Sequence, residues 1–420
     1  MGERFDDLPP LDDPLDDGSP YDWGRSTSEG SAPKSEARKP IKAARFQWIE
    51  PAAIPVREWL LGRHLIRKFI SATISPGGVG KSSLVIAEAL SMASGKDLIG
   101  SGPHGRFRTW YLNLEDPLDE LQRRVMATAI HYGLDDADIA GRLFVNSGRD
   151  TRVVVAEQTR AGVTIVRPVI EEICTAIRAN LIDVVVIDPF VSSHAVSEND
   201  NGAIDAVATI WKDIADSCEC AIELVHHARK TGANEVTIDD ARGAVALISA
   251  ARAARVLNPM TRDEAERLGV DQPRLHFRVD GGKANLAPPS SDGSKWFKLA
   301  SVPLGNGPPG LTDYGDSVGV VTAWEKPDPF ESVTLADLQA AQAAVRAGGP
   351  WRENVQAREW VGKPIAYALR LNPDDKRDRE KVKALLRAWI GTGMFVVVTG
   401  KNDKGRDTPM IEVGEAATHT

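Results

Sequence analysis

The sequence has 420 residues, of which 42% are hydrophobic and 26% are charged, a balance typical of a globular protein with more than one domain. The net charge of -8 argues against a protein that coats nucleic acid by bulk charge, because phosphate binding depends on clustered Lys and Arg. No secretory signal or long apolar span is evident, so we expect a cytoplasmic protein. Its three cysteines, Cys174, Cys218 and Cys220, have no metal-ligand spacing, and we predict that they are structural.

The first 45 residues are rich in Pro, Asp, Ser and Gly. Such a segment buries too little apolar surface to offset the entropy lost on ordering, so we predict a disordered tail at 1–45. Two roles are open for this tail: it is either a solubilising segment or a short acidic docking peptide.

From Phe69 onward, short apolar runs alternate with amphipathic helical segments. The predicted strands are Phe69–Ile74, Thr109–Leu114, Asp183–Ile187, Ala221–Val225 and Arg252–Leu257. The predicted helices include Lys81–Ser94, Leu118–Tyr132, Pro168–Asn180 and Gly202–Asp216. Apolar strands separated by helices indicate a buried parallel sheet. We therefore predict a doubly wound α/β domain at 46–302.

The composition changes to Gly, Pro and Asp near Pro303–Gly319, which predicts a linker at 303–332. Helical patterns follow near Leu335–Arg346, Val355–Leu369 and Asp378–Ile390, and then a hairpin of Phe395–Thr399 and Met410–Val413. Three helices closed by a hairpin are typical of a small winged-helix-like domain, here at 333–420. Basic and acidic residues alternate on its last helix and wing, so the sequence leaves open whether this domain contacts nucleic acid or protein.

A glycine-rich loop separates the first predicted strand from the first helix. Strand, loop and helix in this order form the context of a P-loop, although Ser75 replaces the usual first Gly of the motif. We predict that Lys81 contacts the β- and γ-phosphates of ATP and that the Ser82 hydroxyl binds Mg²⁺. The predicted phosphate-binding residues are Ser75, Pro76, Gly77, Gly78, Val79, Gly80, Lys81, Ser82 and Ser83.

Two acidic positions follow neighbouring apolar strands. Asp188 directly follows the predicted strand Asp183–Ile187, at the edge of the sheet where ligands of open α/β sheets bind. We predict that it holds Mg²⁺ through water. Pro189 follows it, so the carboxylate that activates the attacking water must come from elsewhere. Glu115 is our candidate for this base. The alternative is that Glu115 or Asp116 only caps the next helix.

Two histidines, His226 and His227, directly follow the predicted strand Ala221–Val225. A hydrogen-bonding side chain at this position senses the γ-phosphate and relays its loss to the following loop. Because neighbouring strand residues point to opposite faces, we expect one histidine to face the site and the other to pack.

Together these motifs resemble the plasmid RepA-type hexameric replicative helicases, a RecA-like branch of the P-loop ATPases that is related to DnaB. The resemblance covers roughly Ile54 to Phe297 and leaves out the tail and the C-terminal domain. It rests on SPGGVGKS (75–82), LEDP (114–117), VIDP (186–189), HHARK (226–230), RGAVALISAAR (242–252) and KAN (283–285).

The resemblance implies a ring in which ATP lies between subunits and a neighbour supplies a cation. Arg252 matches the arginine finger of the family, with Arg255 as its rival, and Lys283 matches a second cation near the phosphates. The loop at 192–201 and the loop with Arg229 and Lys230 match segments that face the central channel, which implies contacts with single-stranded DNA.

We therefore expect an ATP hydrolase that forms a homo-oligomeric, hexameric ring and translocates on single-stranded DNA, as a replicative helicase of a plasmid, phage or integrated element. Two alternatives remain open from the sequence. One is a RadA-like or phage-recombinase-like ATPase that acts in recombination. The other is a winged-helix regulator that binds duplex DNA and uses its ATPase as a slow switch.

Overall fold

The computed structural model describes residues 42–228, 236, 245–286, 293–308, 315–401 and 405–417. The helices of these residues are α1 (Lys81–Ser94), α2 (Leu118–Tyr132), α3 (Asp136–Ile139), α4 (Arg167–Asn180), α5 (Asn201–Ser217), α6 (Val245–Ala250), α7 (Arg262–Leu268), α8 (Leu335–Arg346), α9 (Gly362–Ala368) and α10 (Lys376–Gly391).

The strands are β1 (Trp59–Leu61), β2 (Leu65–Ile66), β3 (Ile70–Ser75), β4 (Thr109–Asn113), β5 (Leu143–Ser147), β6 (Ala156–Thr159), β7 (Gly162–Ile165), β8 (Val184–Asp188), β9 (Ala221–His227), β10 (Ala253–Pro259), β11 (His276–Ala284), β12 (Lys295–Pro303), β13 (Ser317–Ala323), β14 (Phe395–Lys401) and β15 (Asp407–Val413).

A nine-stranded sheet with the order β13-β12-β11-β10-β3-β9-β8-β4-β5 forms the centre of the fold. The strands from β10 to β5 are parallel, whereas β11, β12 and β13 extend the sheet in antiparallel pairs. Every residue of β8 is buried, as expected of a parallel strand covered on both faces. The carboxyl ends of β3, β4, β8 and β9 therefore lie along one edge of the sheet.

Two apolar layers cover the sheet. On β8, Val185 and Ile187 pack with residues of α4, α5 and α6 on one face. Val184 and Val186 pack on the other face with residues of α1 and α2. This alternation follows from the two-residue period of a strand. The doubly wound α/β fold predicted from the sequence is confirmed.

The linker predicted at 303–332 is wrong over eight of its residues, because Pro303 ends strand β12 and Ser317–Ala323 forms strand β13. This strand pairs with β12 from Pro303↔Ser317 to Phe297↔Ala323. The Tyr132 hydroxyl of α2 donates a hydrogen bond to Val321 O at 2.6 Å. The surrounding Gly, Pro and Asp residues mask a short strand whose Val320 and Val321 are buried.

The C-terminal segment contains the predicted three helices and hairpin around a core of their own. The predicted apolar stripe of α10 is buried in this core, with Val382, Leu385, Leu386 and Trp389. Helix α9 begins only at Gly362, so the helix predicted from Val355 is too long. At the start of α10, Lys376 forms ion pairs with Asp263 and Glu266 of α7.

The chain divides into two units between Pro55 and Val56. Of the first unit, residues 42–55 are described, and they contain one short helical turn at Pro51–Ala53. The tail predicted at 1–45 lies almost wholly outside the described residues. In the part of the chain that is described, no helix is long and apolar enough to span a membrane.

Candidate nucleotide site

The glycine-rich loop lies at the carboxyl end of β3, near the middle of the sheet. Gly80 has φ +110°, a conformation that strains any other residue, and a Cβ at this position would crowd Cε1 of Phe277 at 3.1 Å. The first hydrogen bond inside α1 runs from Leu84 N to Gly80 O at 2.9 Å. The earlier N–H groups of this helix have no partner within it, which is the arrangement that binds anions.

Lys81 is the buried cation of this loop, with 4% of its surface exposed. Its Nζ donates to Pro76 O at 3.1 Å and contacts Nδ1 of His227 at 3.1 Å. Burial lowers the pKa of Lys81, and the charges of Asp188 and Glu115 oppose this shift. No carboxylate forms an ion pair with Lys81 among the described residues, so its charge is available to a phosphate.

Asp188 ends β8 and is buried. Its Oδ2 accepts a hydrogen bond from the Tyr111 hydroxyl at 2.8 Å. The Asn113 amide nitrogen in turn donates to the Tyr111 oxygen at 3.0 Å. Burial raises the pKa of Tyr111 well above its usual value, so the phenol stays protonated. Sequence reasoning missed Tyr111 and Asn113, because alternating residues of a buried strand read as ordinary core.

The two acids after β4 differ in their contacts. Asp116 forms an ion pair with Arg124 of α2 at 2.9 Å. Glu115 is exposed, and within the described ranges its carboxylate has no hydrogen-bond or ion-pair partner. Its charge nevertheless acts on both Lys81 and His227. Of these two acids, Glu115 is therefore the one whose carboxylate is free to accept a proton.

The two histidines of β9 point to opposite faces. His227 contacts Lys81, and its pKa is lowered by burial and by the Lys81 charge. His226 packs edge-on against Phe190 and has no described partner for Nδ1. Burial lowers its pKa to about 4. The structure thus brings only His227 into the site, and it turns His226 toward the layer of α5.

A cleft of about 620 Å³ opens beside the loop, within the usual range for small-molecule sites. Gly78, Gly80, Lys81, Ser82 and Ser83 form one wall, and residues of α2, His227 and the segment from Asp316 to Gly319 form the others. The Ser83 hydroxyl donates to Gly319 O at 3.0 Å. This last wall comes from the segment that we had predicted to be a linker, and no motif or periodicity in that segment indicated a part in the site.

The remaining loop residues have structural contacts of their own. Ser75, in place of the first Gly of the motif, is buried, and its hydroxyl donates to Pro76 O at 2.9 Å. Val79 is buried against Leu84 and Phe277 in an apolar cluster. Gly77 and Gly78 have open space where a Cβ would stand. The loop is therefore anchored through Ser75 and Val79 and open at its glycines.

Arg252 and Lys283 lie at the opposite edge of the sheet. Arg252 precedes β10, and its N–H donates to Ile70 O at the start of β3. Five residue steps of β3, about 17 Å, separate this edge from the phosphate loop. Lys283 donates to Ile248 O and Ser249 O at 2.8 and 2.7 Å. Neither cation is brought to the phosphate loop of its own subunit.

Arg255, the rival for the arginine finger, is excluded from that role. It is buried, and its NH1 and NH2 donate to both carboxylate oxygens of Glu88 at 2.6 Å. Burial alone would lower the pKa of Arg255, but the charge of Glu88, its hydrogen bonds and the charge of Glu223 together outweigh burial, and the pKa is raised. A guanidinium held in this way has no face left for a phosphate of a neighbour.

The segment that follows β8 is paired to a hairpin that sequence reasoning missed. Val155 N donates to Ser193 O at 2.9 Å, and Ala195 N donates to Ala156 O at 2.8 Å. These bonds fasten the predicted channel loop to the β6–β7 hairpin. Arg229 and Lys230, the predicted contacts of the other loop, lie outside the described residues.

Two of the three cysteines have the surroundings of structural thiols. Cys174 and Cys220 are buried, and burial raises their pKa values to about 11 and about 12. A buried thiol with a raised pKa is a poor nucleophile and a poor metal ligand. Within the described ranges, no group of three His, Cys, Asp or Glu side chains has the arrangement of a metal site.

Fold and site together define a P-loop nucleotide-hydrolysing ATPase. Residues 33–233 match the family model of an AAA domain, a segment that includes the phosphate loop, Glu115, Asp188 and both histidines of β9. Such domains bind ATP and usually Mg²⁺. The residues present fit this pair, because Mg²⁺ takes one or two protein oxygens besides phosphates and water, and Ser82 and Asp188 are the oxygen donors beside the loop.

Proposed function

We propose that this ATPase forms a ring and translocates on single-stranded DNA, as the replicative helicase of a plasmid, phage or integrated element. The observation that carries the proposal is the separation of cations within one subunit. Lys81 lies in the phosphate loop, whereas Arg252 is exposed at the far edge of the sheet. Arg123 and Arg124 of the same subunit line the cleft, but both are ion-paired with carboxylates. A second subunit is then the source of an arginine without such a partner.

Within one subunit, the residues of the site divide the work of hydrolysis. The loop N–H groups and Lys81 hold the phosphates, and Asp188 and Ser82 hold the metal. Mg²⁺, when bound, neutralises charge on the β- and γ-phosphates. Glu115 accepts the proton of the attacking water, and His227, in contact with Lys81, responds to the γ-phosphate.

Between subunits, Arg252 acts as a finger that offsets charge developing on the γ-phosphoryl oxygens. Arg252 is exposed, and its guanidinium stacks on the Phe69 ring, with 5.8 Å from Cζ to the ring centre. The Arg252 charge contributes to the lowered pKa of Lys283, for which burial is the larger cause. In the part of the chain that is described, neither side chain forms an ion pair with a carboxylate. Two like charges held without an anion favour an interface that supplies one.

The alternative of a duplex-binding regulator is less well supported. Lys376 begins the last helix of the C-terminal domain, where a winged helix would read DNA. It is instead held by Asp263 and Glu266, with Nζ–O distances of 3.2 and 2.6 Å. The acidic groups of α7 therefore offset the charge of Lys376, one of the cations that duplex binding would use. The recombinase alternative uses the same ATP residues and has to be separated by experiment.

Lys81→Ala is the first test, and it should abolish ATP hydrolysis and weaken nucleotide binding, because the buried cation of the loop is lost. The measurements are steady-state phosphate release and titration with a fluorescent ATP analogue. Lys96→Ala is the matched control, because Lys96 pairs on the surface with Asp138 at 2.7 Å and should hydrolyse ATP normally. Normal turnover by Lys81→Ala would show that the site assignment is wrong.

The second test uses wild-type protein with a forked DNA duplex and ATP. Strand separation, together with closed rings in negative-stain images, is the outcome expected of the helicase. Strand pairing on filaments would favour the recombinase instead. Sequence-selective duplex binding without separation would favour the regulator.

A further inference from the structure

A buried hydrogen-bonded chain joins the two acidic elements of the nucleotide site. Tyr111 is 1% exposed, and its hydroxyl lies 2.8 Å from Asp188 Oδ2 and 3.0 Å from Asn113 Nδ2. The Asn113 Oδ1 accepts the backbone N–H groups of Glu115 and Asp116 at 3.1 and 2.7 Å. One continuous chain therefore runs from the Asp188 carboxylate to the backbone of Glu115.

The direction of every bond in this chain is determined by its ends. Backbone N–H groups can only donate, so the Asn113 atom facing them must be the oxygen, and the amide nitrogen must face Tyr111. The phenol oxygen then accepts from Asn113, and its single proton goes to the carboxylate of Asp188. No other assignment of donors and acceptors satisfies both the Asp188 carboxylate and the backbone N–H groups. This series of hydrogen bonds therefore has a single set of directions.

The backbone adds a second link between the same two strands. Asn113 and Asp188 are register partners in the parallel pair of β4 and β8, and Leu114 N donates to Asp188 O at 2.8 Å. This link sets the spacing of the two strand ends. It does not orient the carboxylate of Asp188, which only the Tyr111 hydroxyl contacts among the described residues.

We propose that Tyr111 and Asn113 are positioning residues that orient the metal-binding carboxylate of Asp188 and the backbone of Glu115 as one unit. The inference rests on the ATPase part of the proposed function and not on DNA translocation. Tyr111 acts on Asp188, and Asn113 acts on Glu115. Hydrogen bonds that orient a metal ligand are worth about 10- to 100-fold in metal affinity or activity when removed.

Packing alone does not require the hydroxyl of Tyr111. Its ring lies in the apolar cluster between the sheet, α1 and α2, and a phenylalanine would fill the same space. Tyr111→Phe therefore removes the bond to Asp188 and keeps the ring. Tyr132→Phe is the matched control, since its hydroxyl also donates one hydrogen bond within the fold, to Val321 O, away from Asp188.

The experiment measures the affinity for a fluorescent, non-hydrolysable ATP analogue with Mg²⁺ and with EDTA. Wild type should bind more tightly with Mg²⁺. Tyr111→Phe should lose about tenfold or more of this gain and keep the EDTA affinity, and the half-saturating Mg²⁺ for hydrolysis should rise. Tyr132→Phe should behave as wild type. Asn113→Ala should lower kcat at saturating Mg²⁺ and shift the Mg²⁺ dependence less.

Two results would overturn the proposal. One is a folded Tyr111→Phe protein with the Mg²⁺ dependence of wild type; a fall in thermal stability with that dependence unchanged would assign Tyr111 to packing alone. The other is a wild-type protein whose analogue affinity is indifferent to Mg²⁺. A wild type that gains affinity from Mg²⁺ but does not separate DNA strands would refute the translocase and leave the roles of Tyr111 and Asn113 intact.

Discussion

Two groups of charged residues lie on the same face of the sheet, under helix α1, and they differ in their partners. At the phosphate loop, Lys81 hydrogen-bonds only to neutral groups, and within the described ranges the Glu115 carboxylate has no hydrogen-bond or ion-pair partner. Deeper under α1, Arg255 meets both oxygens of Glu88 at 2.6 Å. Nearby, Glu223 accepts from His64 at 2.8 Å.

The difference follows from the cost of burying charge. A charge removed from water is stable only when a counter-charge and hydrogen bonds replace its hydration. Arg255 and Glu88 supply this to each other and have no capacity left for a ligand. Lys81 is almost equally buried and lacks a carboxylate partner, which is the state of a group whose partner arrives from solution. Buried charges that are paired within the protein, such as Arg255 and Glu88, thus stabilise the fold. A buried charge without a carboxylate partner, such as Lys81, indicates a ligand site.

Among variants that still bind ATP normally, the largest effect on turnover is expected for Arg252→Ala. If Arg252 is supplied to a neighbour, the variant should bind ATP normally and hydrolyse it about 10³- to 10⁵-fold more slowly. Mixing it with Lys81→Ala subunits should restore activity, because some interfaces then combine an intact loop with an intact finger. Phosphate release across mixing ratios measures this. Arg267→Ala, which removes an exposed arginine of α7, should hydrolyse ATP normally.

A mixture that stays inactive while both variants co-assemble would contradict this prediction. Arg252 would then act within its own subunit or only in the structure. The exposure of Arg252, in contrast to the buried Arg255 three positions further along the chain, would then not reflect a role at a subunit interface.

Glu115→Gln should have the next largest effect. The amide keeps the size of the side chain but cannot accept the proton of water, so ATP binding should persist while turnover falls about 10²- to 10⁴-fold. Single-turnover hydrolysis and analogue binding separate the two steps. Asp116→Asn breaks the pair with Arg124 and should retain most of the turnover. The reverse pattern, with Asp116→Asn inactive, would move the base to Asp116.

Arg255→Met should have the smallest effect on turnover and a large one on stability. It leaves the buried Glu88 carboxylate without its partner, which should lower the free energy of unfolding by about 3 to 5 kcal/mol. Urea unfolding measures this change. Adding Glu88→Leu removes the orphaned charge and should recover most of the loss. ATP turnover per folded molecule should stay near wild type in the double variant, and its loss there would assign Arg255 a part in catalysis.

The sequence predicted the central parallel strands of the sheet well and its outer strands poorly. Helices α1 and α2 have the predicted bounds, because apolar periodicity and the loop glycines mark them. The outer parallel strand β5, strands β11 to β13 and the hairpin β6–β7 were missed. These strands mix buried, half-buried and exposed residues, or are mostly exposed, so they lack the continuous apolar run of a buried strand. Pairing with a neighbour, and not composition, makes them strands.

The site residues, like the strands, divide into those that the sequence predicted and those that it missed. Lys81, Asp188 and Glu115 could be predicted to lie near one another, because the order of strand, loop and helix and the ends of parallel strands determine their positions. Tyr111 and the wall at Asp316–Gly319 were missed, since their roles arise from strands that are adjacent in space and distant in sequence. Nothing in the sequence told whether Arg252 or Arg255 was free.

The sequence by itself determined the α/β class, the phosphate loop and the edge of the sheet that holds the acids, because these depend on local periodicity and on the order of strand, loop and helix. Only the tertiary structure decided which charges are neutralised and which carboxylate is oriented by a buried phenol. The reason is physical: solvation and hydrogen bonding of a side chain depend on the groups packed around it, and the order of strands in the sheet, which differs from their order in the chain, selects those groups.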